Sequence, residues 1–235
     1  MRNRTGLAFA ALAAMLTFAL TGCAELEPAA PPVPTAEATT APSTDPAAAW
    51  LDGGRAIALV TWGSSSTDCT PAVADARAEG QTVTVTLAGP PADTMCTADF
   101  APRATYISVP EGVDPTRDAT LAFDGDGFQG RVPLAGSSAL ATGGQTDGKP
   151  SAGWFAPDGI VLMTWGSSSC PPVVEKVEGA DHGATVTFQT DETRMCTRDL
   201  APRLTLLGVT TPADTTGYTL TLKGDHLDGE VPVIG

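Results

Sequence analysis

Val60-Thr61-Trp62-Gly63-Ser64-Ser65-Ser66 returns, nearly unchanged, as Met163-Thr164-Trp165-Gly166-Ser167-Ser168-Ser169. A second stretch, Met95-Cys96-Thr97-Ala98-Asp99-Phe100-Ala101-Pro102-Arg103, returns as Met195-Cys196-Thr197-Arg198-Asp199-Leu200-Ala201-Pro202-Arg203. Val132-Pro133-Leu134 returns as Val231-Pro232-Val233, so the offset drifts only from 103 to 99 across the match. A period near 100 residues reads as the duplication of a domain, not as a solenoid repeat. Residues 50–135 form the first copy and residues 153–235 the second. Residues 136–152, rich in Gly, Ser and Thr, read as an interdomain linker.

The duplication allows each strand to be predicted twice. Residues 57–62 and 160–165 are apolar on both faces, as a strand buried on both sides must be. Val83, Val85 and Leu87 alternate with Thr82, Thr84 and Thr86, while Ala184, Val186 and Phe188 alternate with Thr185 and Thr187. That period of two marks a strand with one exposed face. Strands are also expected over residues 105–109 and 205–209, 119–123 and 218–222, and 128–134 and 227–233. Asp124-Gly125-Asp126-Gly127 and Lys223-Gly224-Asp225-His226 read as the hairpin turns before the last pair. Residues 73–78 and 173–177 fit either a further strand or a short helix. The fold class is all-β, expected as two homologous small β-sandwiches or open barrels.

Cys69, Cys96, Cys170 and Cys196 occupy matching places in the two copies. The economical pairing is Cys69–Cys96 with Cys170–Cys196, one staple per copy. In the chain-entropy view, closing a loop of that length contributes about 3–4 kcal/mol. A copy of this size buries a limited core, so such a staple matters.

The sequence is acidic, with 13 Lys and Arg against 27 Asp and Glu. That balance excludes nucleic acid as a partner, because phosphates demand a basic surface. The triple serines invite a nucleophile reading, which requires a base held in place by a third group. Only His182 and His226 are available, both in the second copy, and their first-copy counterparts are Gln81 and Gly127. The serines therefore read as hydroxyl-rich loops. Widely spaced cysteines do not form a zinc knuckle, and Asp124-Gly125-Asp126 lacks the remaining ligands of a calcium loop. No metal or other cofactor is expected.

Two doubled features carry the candidate site. Trp62 and Trp165 end the apolar strand beside a cysteine, and read either as packing on a cystine or as an aromatic platform for a sugar ring or partner side chain. Asp99 with Arg103, and Asp199 with Arg203, are four apart across a proline-containing turn. They suggest a carboxylate that accepts N–H bonds within the turn and an arginine bonded to it. The alternative is a duplicated recognition loop in which Ser64 and Ser167 join these residues.

The N-terminus carries Arg2 and Arg4, an apolar run over residues 7–20, and Leu20-Thr21-Gly22-Cys23. These are the parts of a secretory leader, and the apolar run is too short to span a bilayer. The ending resembles the lipobox of bacterial lipoproteins. That resemblance implies alkylation of the Cys23 thiol by a diacylglyceryl group, removal of residues 1–22, and location on the outer face of the cell membrane. Losing Arg2 and Arg4 with the leader leaves 11 basic against 27 acidic residues, a net charge of −16. Attraction to anionic headgroups is then negligible and the membrane is held through lipid alone. One chain holds weakly and two or more hold stably, since each buried CH₂ contributes about 0.8 kcal/mol. Residues 24–49, rich in Ala, Pro and Thr, read as a solvated tether. The function expected is noncatalytic binding of an envelope protein, peptide or glycan. An envelope hydrolase using acidic residues, or a passive spacer, is the alternative.

Overall fold

The computed structural model describes residues 44–141, 145–210, 212 and 214–235. Cys23, the leader and residues 24–43 of the expected tether lie outside them. Described residues contain β-strands and two short 3-10 turns, with no α-helix among them.

The first copy holds seven strands: β1 (Ala47–Leu51), β2 (Ala56–Gly63), β3 (Ala72–Glu79), β4 (Thr82–Ala88), β5 (Ala101–Ser108), β6 (Ala119–Gly125) and β7 (Phe128–Leu134). The second repeats them as β8 (Ser151–Ala156), β9 (Gly159–Gly166), β10 (Val174–Ala180), β11 (Gly183–Phe188), β12 (Ala201–Gly208), β13 (Thr219–Lys223) and β14 (Gly229–Ile234). The ambiguous segment after each serine loop is thus a strand in both copies.

In the first copy, one sheet runs β1-β2-β5 and the other β3-β4-β6-β7. The second copy has the same orders, joined into one seven-stranded sheet by a parallel pairing of β14 with β8, where Val233 faces Ala152. Both copies share one parallel pair, β4 with β6 and β11 with β13, where the intervening strand β5 or β12 pairs instead with β2 or β9. The first-copy hairpin forms as its sequence requires: Gly125 pairs with Phe128 around Asp126 and Gly127, both with positive φ (51° and 77°). That is the two-residue geometry favoured by Asp-Gly.

Three cores hold the molecule together. Ile57 and Leu59 of β2 pack with Val83, Val85, Leu121 and Phe123 inside the first copy. Ile160 and Leu162 of β9 pack with Val186, Leu220, Leu222 and Tyr218 inside the second. The third core lies between the copies, where Ala56, Ala58 and Val60 of β2 and Leu51 of β1 meet Val161 and Met163 of β9. Strict alternation along β2 and β9 sends one set of side chains inward and the other across to the sister copy.

This arrangement corrects the expectation of two separate sandwiches, and with it the reading that set a solenoid aside. The copies stack in a solenoid-like succession of sheets and form one compact unit. Described residues of the predicted linker are also held against the first copy or belong to the second. Leu140 enters the first core, Ala141 N–H donates to the Gly53 carbonyl, and Ser151 and Ala152 already belong to β8. Similarly, the stretch read as tether loses Ala47 to Ala49 to strand β1.

A buried polar knot ties the junction. Asp52 N–H donates to Ser151 Oγ at 2.8 Å, and Thr146 Oγ1 donates to Asp52 Oδ1 at 3.0 Å. Burial pushes the Asp52 carboxyl up, opposed by the Thr146 bond and by Arg55. These bonds cross between the β1–β2 hairpin and the start of the second copy, so they fix the stacking and do not merely decorate it.

Candidate functional site

The serine loop after β2 and the loop before β5 are closed on each other by a covalent bond and a set of hydrogen bonds. Cys69 bonds Cys96, and Cys170 bonds Cys196, as the duplication requires. Above each cystine the hydroxyls interlock. Ser64 Oγ and Thr97 Oγ1 are 2.7 Å apart, and the same distance separates Ser167 Oγ from Thr197 Oγ1. Thr97 N–H donates to Ser66 Oγ at 3.3 Å, and Thr197 N–H to Ser169 Oγ at 3.0 Å. Each threonine hydroxyl then donates to the aspartate two residues on, Asp99 or Asp199.

The aspartates complete this clasp. Ser65 N–H donates to Asp99 Oδ1 at 3.0 Å, and Ser168 N–H donates to Asp199 Oδ1 at 3.2 Å. Hydrogen bonding from Ser65 and Thr97 holds the Asp99 carboxyl at about 2, and Ser168 and Thr197 do the same for Asp199. Hydrogen bonds to the ionised form are what lower a carboxyl in this way.

The arginines do something other than expected. Among the described residues, Arg103 does not pair with Asp99, nor Arg203 with Asp199. Arg103 donates through Nη1 to the Cys69 carbonyl, and Arg203 donates to the carbonyls of Cys170 (2.9 Å) and Trp165 (3.1 Å). The side-chain reach explains the choice. Arg103 points along the inner face of β5, directly across from Thr61, whereas Asp99 lies on the exposed loop before the strand. The guanidinium lies so close to the backbone that a Cβ on Gly63 would stand 2.4 Å from Arg103 Nη2. At Gly166 the corresponding distance to Arg203 Cζ is 2.7 Å. A side chain at either glycine would therefore have to displace the guanidinium from its carbonyl.

Trp62 stacks on Phe100, with centroids 5.9 Å apart and planes 24° from parallel. Trp165 packs partly against the core between the copies. Both indoles are half-buried, so neither forms an open platform. Sequence reasoning missed a second tryptophan pair, Trp50 and Trp154, at equivalent places in β1 and β8, facing Ile57 and Ile160. Their near-equal spacing from the apolar strands was the available signal.

The two clasps converge. Ser65 and Ser168 line one cleft of about 480 Å³ between the copies, together with Arg103, Arg203, Pro102, Pro202, Tyr106 and Leu206. Several of these stand in corresponding positions in the two copies, and the full lining contains no acidic side chain although the chain has 27. The remaining polar groups are hydroxyls and main chain. Such a surface can hold a sugar or an extended peptide, but it offers no base to activate a serine. Neither histidine bonds a serine of these loops among the described residues. His182 precedes β11, at the opposite end of that strand from the segment leading to Cys196. His226 sits in the β13–β14 turn with φ +58°. Among the described residues no group of three or more His, Cys, Asp or Glu side chains is placed to hold a metal ion.

Comparison with family models, curated proteins and solved structures finds no match to this chain.

Proposed function

We propose that this chain is a lipid-anchored extracytoplasmic lipoprotein whose mature part is a noncatalytic binding module of the cell envelope. The lipobox-like leader supports the anchor, and the Ala/Pro/Thr-rich stretch supports a tether from Cys23. Paired cystines suit an oxidising compartment outside the cytoplasm. The convergence of two hydrogen-bonded clasps on one acid-free cleft is the observation that carries the binding reading. Ser65 and Ser168, fixed through their backbone N–H groups by Asp99 and Asp199, line that cleft, and such pre-organisation lowers the ordering cost of capturing a protein segment, peptide or glycan.

Affinity capture from native envelope with residues 24–235 tests the proposal. Thr67 and Ser168 are exposed and line the cleft, so T67W with S168W fills it from opposite copies without touching the core. Capture of a specific envelope component is expected, lost in the double variant while it remains folded, with a melting temperature lowered only by the loss of the Ser168 hydroxyl bond to Asp199. Equal recovery by wild type and variant would remove the cleft from the proposal. The anchor is tested separately by incorporation of labelled fatty acid into the full chain, expected to vanish in Cys23→Ala.

A further inference from the structure

Five methionines occur in the chain, and two of them, Met1 and Met15, precede Cys23. The other three divide sharply. Met163 is 0% exposed in the core between the copies, whereas Met95 is 92% and Met195 97% exposed. Methionine is among the residue types most often fully buried. Leaving one in water at a loop tip forgoes the roughly 1.5–3 kcal/mol that burial contributes. Here the same choice is made twice, each time in the residue before a half-cystine of the clasp. Cys69, Cys96, Cys170 and Cys196 are already oxidised to disulfides. The two thioethers are then the accessible oxidisable sulfurs among the described residues.

We propose that Met95 and Met195 are paired modification sites for peroxide-class oxidants. In the step, a sulfur lone pair attacks one oxygen of hydrogen peroxide. The O–O bond breaks, a sulfur–oxygen bond forms, and the departing hydroxide takes up the proton from the transferred oxygen and leaves as water. Sulfur is oxidised by two electrons and the peroxide is reduced by two. The product sulfoxide is polar, and methionine sulfoxide reductases reverse it. Because each side chain stands free of the core, the exchange changes the surface of each clasp while the packing beneath it stays intact. The site is independent of whichever partner occupies the cleft.

Hydrogen peroxide added to residues 24–235, followed by peptide mapping over time, tests this. Sulfoxide is expected at Met95 and Met195 at matching rates, roughly tenfold or more ahead of Met163, as exposure dictates. The melting temperature should stay constant while this happens, and sulfoxide reductase should restore the original mass. The M95L/M195L double variant should lose the early oxygen uptake and melt as wild type. Oxidation of Met163 at the same pace, or undiminished early uptake in the double variant, would overturn the proposal.

Discussion

The two clasps share their hydrogen bonds but not their apolar surroundings. Serine to threonine, threonine to aspartate, aspartate to backbone N–H and arginine to the half-cystine carbonyl are all present in both copies. Around them, the first copy is aromatic and the second aliphatic. Phe100 stacks on Trp62 where the second copy has Leu200, and Arg103 lies 5.7 Å from the centroid of Phe128 where the second copy has Leu227. Arg103 is 9% exposed, while Arg203 is only half-buried. The polar geometry is kept because hydrogen bonds require a matched donor and acceptor at close range. The apolar contacts tolerate leucine for phenylalanine, since they demand only contact and size.

The largest effect should fall on both copies alike. Cys69→Ala with Cys96→Ala reopens a loop of 27 residues, and Cys170→Ala with Cys196→Ala one of 26. Each pair should cost about 3–4 kcal/mol in urea denaturation. A gap larger than about 1 kcal/mol between them would mean that one staple also relieves strain or holds residual structure. The arginines should separate the copies. Arg103→Ala removes a buried charge-assisted bond and a ring contact, for about 2–3 kcal/mol. Arg203→Ala, better solvated, should cost about 1–2 kcal/mol in the same assay. Equal losses would show that the aromatic wrapping of Arg103 contributes nothing.

Acid should act smallest and symmetrically. Asp99 and Asp199 have carboxyls lowered from 3.8 to about 2. A lowered folded value means the clasp bond contributes fully above the unfolded value and is lost as pH falls through the folded one. Melting temperature should therefore carry a modest decline between pH 4 and pH 2 that D99N/D199N reduces, the remainder belonging to the other lowered carboxyls, Asp114, Asp147, Glu178, Asp191 and Asp214. Because both groups are exposed, solvent screening keeps the effect small. A decline of the same size in the double variant would assign it to other carboxylates.

Much of the fold was legible because the chain states it twice. The double-faced apolar run over residues 57–62 and 160–165 correctly identified a strand buried on both sides, and matched cysteines identified the staples. What the pattern did not disclose was the identity of the second covering layer. An apolar face reads the same whether its cover is a sheet of its own copy or the sister copy, so separate sandwiches were expected. Strands β1 and β8 were obscured for another reason: Ala47, Ala48 and Ala49 have the composition of a tether, and only contact with β2 makes them a strand. Within the site, Asp and Arg four apart suggested a pair. The strand alternation that turns Arg103 inward, away from Asp99, was readable in principle, since Arg103 keeps the phase of Thr105 and Ile107. Exposure of Met95 and Met195 had no sequence signal, as methionine beside cysteine ordinarily predicts burial.

The apolar layer between the copies constrains how such a chain is made and divided. A ribosome delivers β1 and β2 long before β9, so Ala58 and Val60 wait uncovered until the second copy emerges. Any truncation that ends the chain at the junction leaves that sheet permanently bare, with a greasy slab open to a neighbouring molecule. Each half thus serves as the cover of the other's apolar face, and a half prepared alone would present that face to solvent.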